Sequence, residues 1–272
     1  MNILFDVNHP AQVHLFKNLI KHLLPNHSVI VTARNKDVTV KLLKQYKINY
    51  LVFGKPGNNI LSLFYEMIIK DFQSLILKFK HKFDIGIGTS FTITHLSKVS
   101  KMKSYFFNED DDGISAFNDK FVLPFATKII NPNCLKFSKL KDKRVLHNSY
   151  HELAYLHPNN FTPDISIIKK YGLIEKKYVV LRLNALKAHH DVGAKGISDD
   201  LYLKIKDILK DYTIIESREN SKTHRIEPWD MHHILAFAKM IICDSQTMTI
   251  EAAVLGVPAV RINTFIGKST VI

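Results

Sequence analysis

Cysteine is scarce in this chain: two residues in 272, Cys134 and Cys243, far apart. That excludes a disulfide framework and a clustered zinc site, and it suits a reducing cytoplasm. Long apolar runs are missing too. The most apolar long stretch, residues 59–79, is broken by Glu66, Lys70 and Asp71, so no membrane-crossing helix is expected. The opening Met-Asn-Ile-Leu-Phe-Asp enters a strand at once, without a basic segment ahead of an apolar one, and no signal peptide is expected. Zinc-finger spacings and aromatic-flanked basic motifs are absent, which argues against nucleic acid as a partner. Acid is in short supply: 25 Asp and Glu face 38 Lys and Arg, a formal net charge of +13. Such an excess concentrates phosphates and acidic lipid headgroups. Lysine-rich composition spread over solvated helix faces is the competing explanation.

What remains is an ordinary globular composition, 46% apolar and 23% charged, arranged as strand, helix, strand, helix. Short apolar runs at 3–7, 28–33, 50–53, 84–88 and 105–107 alternate with helical patterns at 13–24, 37–46, 60–80 and 93–100. The rhythm loosens over 131–163, where Pro132, Pro158 and Pro163 punctuate a polar stretch. It restarts with strands at 178–183, 213–216, 241–243 and 259–262 and helices at 201–210, 231–239 and 247–255. Strands hydrophobic on both faces and separated by helices predict parallel sheets covered on both sides. The pattern therefore predicts an α/β protein of two doubly wound domains, residues 1–160 and 161–272. Few residues follow the last strand, so the second domain reads as incomplete.

The most informative segment is Met240-Ile-Ile-Cys-Asp-Ser-Gln-Thr-Met-Thr-Ile-Glu-Ala-Ala-Val-Leu-Gly-Val-Pro258. An apolar strand ends at Cys243, Asp244-Ser245 turns, and a helix starts near Gln246. Backbone N–H groups and the positive helix end then face the space above the sheet, which suits an anion. A helix dipole alone contributes only about 0.3–1 kcal/mol, so a phosphate here needs the hydroxyls of Ser245 and Thr247 as well. Glu251, in the second helical turn, is placed to accept both hydroxyls of a ribose. Read without relatives, Ser245 is simply an N-cap and Glu251 a solvated helix residue.

The run Asp244-Ser-Gln-Thr-Met-Thr-Ile-Glu-Ala-Ala-Val-Leu-Gly-Val-Pro-Ala resembles the donor-site motif of GT-B proteins, among them the non-hydrolysing UDP-N-acetylglucosamine 2-epimerases and the MurG-type glycosyltransferases. Further stretches resemble one family of that superfamily, the domain-of-unknown-function family 354: Phe5-Asp-Val-Asn-His-Pro-Ala-Gln-Val-His-Leu-Phe-Lys-Asn, Ala188-His-His-Asp-Val-Gly-Ala-Lys-Gly and Glu227-Pro-Trp-Asp-Met-His-His. The resemblance spans nearly the whole chain. It implies a GT-B-like fold of two Rossmann-like domains facing a cleft, with no metal or other cofactor required. It also implies a place in surface-polysaccharide synthesis, and a C-terminal domain truncated relative to family members.

Other groups are weaker candidates. His9 and His14 follow the first strand, where an imidazole can take a proton from an acceptor hydroxyl; a capping or pocket-wall histidine is the alternative. Relatives often carry His where this chain has Gln12. Arg182 ends the first strand of the second half, ahead of Lys187, His189, His190 and Lys195, and is placed to meet a pyrophosphate. The pairs His189/His190 and His232/His233 lack a third metal ligand at standard spacing, and adjacent side chains do not share a helix face, so no metal is expected. Glu109, in the acidic run Asn108–Gly113, is a candidate base in what otherwise reads as a solvated loop. Ser217-Arg-Glu-Asn220 superficially matches an epimerase signature but follows the second strand of its half, not the first. Helix 60–80 carries Leu61, Phe64, Ile68, Phe72, Leu75 and Phe79 beside Lys70, Lys78, Lys80 and Lys82. It is either core-packed with a basic end or rests on a membrane holding a lipid-linked acceptor.

Together these features lead to a metal-independent GT-B-type glycosyltransferase that takes a UDP-sugar donor and a sugar or lipid-linked acceptor. The expected location is cytoplasmic, with room for peripheral contact at the inner face of the membrane. Asp244, Ser245, Gln246, Thr247, Glu251 and Arg182 would bind the nucleotide, and His9, His14 or Glu109 would act as the base. A UDP-N-acetylglucosamine 2-epimerase is the second possibility, weakened because the first loop lacks an Arg. A non-catalytic nucleotide-sugar-binding module is the third.

Overall fold

The computed structural model describes residues 1–36, 38–54, 60–183, 196–218 and 226–263. The chain forms two compact units that part between His151 and Glu152. In the first unit the strands are β1 (Asn2–Val7), β2 (Ser28–Ala33), β3 (Leu51–Val52), β4 (Ile85–Gly88), β5 (Lys103–Phe107), β6 (Lys128–Pro132) and β7 (Arg144–His147). They build one sheet in the order β3-β2-β1-β4-β5-β6-β7, every pair parallel. The order reverses at β1, the switch point of a doubly wound sheet.

Right-handed crossovers put α1 (Pro10–Leu23) and α2 (Thr39–Gln45) on one face, and α3 (Ile60–His81), α4 (Phe91–Lys98) and α5 (Ala116–Phe121) on the other. The alternation of β1 serves both. Phe5 meets Phe16 of α1, ring centroids 5.6 Å apart. Leu4 packs with Leu77, Ile93 and Leu96 from α3 and α4. Gly88 sits where a Cβ would lie 2.7 Å from the Asp6 carbonyl oxygen, so any side chain there forces β4 away from β1.

The second unit repeats the plan with β8 (Tyr178–Leu183), β9 (Thr213–Arg218), β10 (Met240–Cys243) and β11 (Ala259–Arg261). These pair in parallel in the order β11-β10-β8-β9. On one face Tyr178, Val180, Ile215 and Ile241 pack with Ile234 and Leu235 of α9 (Met231–Ala236) and Ala252 of α10 (Gln246–Val254). On the other, Val179, Leu181 and Ile242 pack with Ile205 and Leu209 beside α8 (Asp199–Ile208).

Two differences from the expected organisation have physical causes. The stretch 131–163, expected to be irregular, contains β7 and the end of β6. The edge strand β7 is Arg-Val-Leu-His, too short and mixed to show a periodic signal. Lys70, expected within the basic end of α3, is 2% exposed and pairs with Asp6 at 3.3 Å. That aspartate also accepts bonds from Thr32 (2.7 Å), Asn8 (2.8 Å) and Ser90. Burial opposes its charge, but Lys70 and the three hydrogen bonds outweigh that and hold its carboxyl below the usual range. The network ties β1, β2, α3 and the start of α4 together.

Candidate functional site

In the second unit, β10 carries the buried residues Ile241, Ile242 and Cys243 to the carboxyl edge of the sheet. The chain then turns at Asp244-Ser245 and enters α10. Ser245 is the N-cap, extended at φ −90°, ψ 127°, its hydroxyl oxygen accepting the Met248 N–H at 3.4 Å. Thr249 donates back to the Ser245 carbonyl at 2.7 Å, which closes the turn. The Ser245 cap uses an oxygen lone pair and leaves its O–H as a donor, so capping and phosphate binding are compatible. Cys243 faces Thr249 at 3.2 Å, and burial pushes its thiol pKa up, so it is an inert core residue.

Strand register brings cations to this turn. Cys243 lies opposite Arg182 on β8 and opposite Arg261 on β11. Laterally paired residues of a sheet point to one face, so both guanidinium groups flank the last residue of β10, where α10 begins. Arg182 donates to Ser217 at 2.7 Å, which fixes it at that edge. Arg261 ends β11 and Arg182 lies one residue short of the end of β8; sequence reasoning passed over Arg261. Ser217 itself stands beside Arg182, while Arg218 lies over the Tyr202 ring, 5.0 Å from its centroid.

Glu251 is not a solvated helix residue. It is 5% exposed, and its Oε1 accepts the Tyr155 hydroxyl at 2.8 Å and lies 3.0 Å from His232 Nε2. Tyr155 comes from α6 (Leu153–Leu156), His232 from α9, and their rings pack at 5.3 Å. A carboxylate offers about four lone-pair positions, so these two bonds orient Glu251 and leave acceptor capacity. At the start of α9, Asp230 accepts Lys170 of α7 (Ile165–Lys170) at 2.8 Å and Tyr171 at 2.6 Å. Tyr155 and His232 are thus the brace of Glu251. Sequence reasoning weighed His232 only as half of a metal pair and missed Tyr155, which sits in the supposed linker.

The first unit holds the other candidates. His9 caps α1, its Nδ1 accepting the Ala11 N–H at 3.3 Å. Gln12, beside it, accepts the Asn8 N–H at 2.6 Å and donates to Thr89. His14 is buried against Tyr46, its Nδ1 3.4 Å from the hydroxyl, in the manner of a pocket wall. Glu109 meets His151 Nδ1 at 2.7 Å, and His147 stacks on the His151 ring at 5.3 Å. Burial raises the Glu109 pKa, but the hydrogen bond and charge of His151, with His9 nearby, hold the carboxyl below its usual range. His151 was missed because it lies far along the chain in a stretch expected to be irregular. The acidic run is a part-exposed loop pinned by hydrogen bonds. Asp111 accepts the Lys136 N–H at 2.6 Å, and Asp112 meets Arg144 at 2.5 Å and the Ser138 N–H at 2.7 Å. Lys187, His189, His190, Lys195 and Asn220 lie outside the described residues.

A model of the family described as "Protein of unknown function (DUF354)" matches residues 1–267. No curated protein matches the chain. Among solved structures, the UDP-GlcNAc 2-epimerase of Neisseria meningitidis bound to UDP-GlcNAc is similar over 96% of this chain and 82% of its own, at 15% identity and a TM-score of 0.72. The enzyme of the same name from Methanocaldococcus jannaschii covers 95% of this chain and 83% of its own, at 12% identity and a TM-score of 0.66. The spinosyn forosaminyltransferase SpnP covers 95% and 78%, at 12% identity and a TM-score of 0.61. At such identities the likeness establishes the fold, that of GT-B enzymes and these epimerases.

Proposed function

The chain belongs to the DUF354 family, and we propose that it is a metal-independent GT-B-type glycosyltransferase whose donor is a UDP-sugar bound on the second unit. Glu251 takes the ribose hydroxyls. Ser245, Gln246 and Thr247, with the first turn of α10, take the diphosphate above the turn at Asp244. Arg182 balances the charge that builds on the departing nucleotide, and a base among His9, His14 and Glu109 accepts the acceptor's proton. The acceptor is a sugar or lipid-linked sugar, in cytoplasmic synthesis of a surface polysaccharide or glycoconjugate. The observation that carries this reading is the buried, doubly hydrogen-bonded Glu251 on the same helix that follows Cys243, the residue in register with Arg182 and Arg261. A neighbour of the same fold, the meningococcal epimerase, holds UDP-GlcNAc.

Isothermal titration of the protein with UDP and with UDP-GlcNAc tests the reading. Saturable heat for either, lost in Glu251→Ala, is expected; heat indistinguishable from dilution, with Glu251→Ala behaving identically, would sink it. The second reading, a nucleotide-sugar 2-epimerase, draws on the likeness to the epimerase structures. NMR detection of the 2-epimer from UDP-GlcNAc alone, with no acceptor present, would favour it over transfer.

A further inference from the structure

Helix α3 is amphipathic in the wrong sense for a water-soluble surface. Its inward face carries Glu66, Lys70, Ser74 and Leu77, all buried. Two of these are held by ion pairs, Glu66 with Arg34 at 2.5 Å and Lys70 with Asp6 at 3.3 Å. The outward face carries Tyr65, Ile68, Phe72, Ile76 and Phe79, each between 51% and 76% exposed. These recur every three or four residues, which lines them along one side of the helix. A helix on a sheet normally turns such a stripe toward the core; here the buried side carries two ion-paired residues beside Ser74 and Leu77, and the stripe faces out. Contiguous exposed apolar surface of this kind marks an interaction site.

The neighbouring helices extend the patch. His95 of α4 reaches Asp71 of α3 at 2.7 Å and the Phe121 carbonyl of α5 at 3.0 Å. This brings the exposed rings of Phe117 and Phe121 to the same side of the sheet. Charge indicates what covers it. Both acids of α3 are engaged, Glu66 by Arg34 and Asp71 by His95. The last turn of the helix carries Lys78 and Lys80, and Lys82 follows it; Lys80 and Lys82 are exposed. A second copy of the chain would bring another net +13 to the patch, whereas an anionic surface complements it. No described helix is long and apolar enough to cross a bilayer, so the fit is to a helix lying in the interface.

We propose that the outward face of α3, with its lysine end, docks the first unit on a bilayer containing anionic phospholipid. The stripe enters the headgroup boundary and the lysines meet the lipid phosphates. The inference goes beyond the nucleotide reading and does not depend on it.

The test is co-sedimentation of the full chain with vesicles of phosphatidylglycerol and phosphatidylcholine, and with phosphatidylcholine alone. The wild type is expected to sediment with the anionic vesicles and only weakly with the neutral ones. The variant Phe72→Glu/Phe79→Glu is expected to lose about ten-fold or more in vesicle affinity, because apolar area and charge both oppose insertion. Both positions are exposed, so its circular dichroism and melting temperature should match the wild type. Lys80→Glu/Lys82→Glu should lose most of the preference for anionic lipid. Wild-type protein left in the supernatant with anionic vesicles, or equal binding by the Phe72→Glu/Phe79→Glu variant, overturns the proposal. So does a wild-type dimer by light scattering that the same variant converts to monomer while vesicles bind neither.

Discussion

Two buried carboxylates occupy comparable regions of the two units and differ in what surrounds them. Asp6, near the carboxyl end of β1, has a full cation and three hydrogen-bond donors directed at it. Glu251, beyond the carboxyl end of β10, has two donors among the described residues, Tyr155 and His232, both on one oxygen. A carboxylate with its charge paired and its lone pairs filled holds a fold together and is closed to ligands. One that is oriented but only part-filled retains acceptor capacity, and that is what recognition of a ribose diol needs. Burial alone therefore does not distinguish a structural acid from a binding one; the partner count does.

The largest expected effect sharpens the structural side. Lys70→Met leaves Asp6 buried without its cation, and chemical denaturation should report a loss of about 3–5 kcal/mol. Adding Asp6→Asn removes the stranded charge and should restore a good part of that loss. A near-zero effect of the single variant would mean the pair is not closed as described. The same carboxyl gives a pH signature. Its pKa in the fold lies below the ordinary 3.8, so its contribution is complete above that value and disappears as pH falls through the folded value. Wild-type stability should therefore drop on acidification below about pH 4, and Asp6→Asn/Lys70→Met should flatten that drop.

The middle effect lies on the other side of the comparison. Glu251→Gln keeps shape and removes charge, and it should weaken UDP binding by about 1.5–3 kcal/mol, the worth of charge-assisted hydrogen bonds. Titration calorimetry measures it, and unchanged affinity would move Glu251 into the structural class. The smallest effect comes from the brace. Tyr155→Phe removes one orienting hydrogen bond and should cost about 0.5–1.5 kcal/mol in UDP binding. Stability unchanged but affinity reduced would assign Tyr155 to orientation; the reverse would assign it to packing.

The repeating βα rhythm and the turn at Asp244-Ser245 were legible in the sequence because both are local. Apolar runs of strand length and a cap residue before a helix announce themselves within a few residues. The site's chemistry was only half legible. Glu251 was found from its place on α10, but Tyr155 and His232 reach it from segments 96 and 19 residues away, and one of these had been read as linker. His151 escaped for the same reason, lying 42 residues from Glu109. The orientation of α3 misled more deeply. Its apolar residues suggest a core-facing stripe, and only the long-range partners Asp6 and Arg34 reveal that the polar side is turned inward.

The central claim is that Glu251 receives the ribose of a nucleotide whose phosphates rest on the start of α10. The direct measurement is a crystal structure of the protein soaked with UDP. The account predicts a ribose hydroxyl within about 3.2 Å of a Glu251 carboxylate oxygen, with the diphosphate at Ser245 and Thr247. Bound UDP whose ribose lies away from Glu251, or phosphates held elsewhere on the chain, would contradict it.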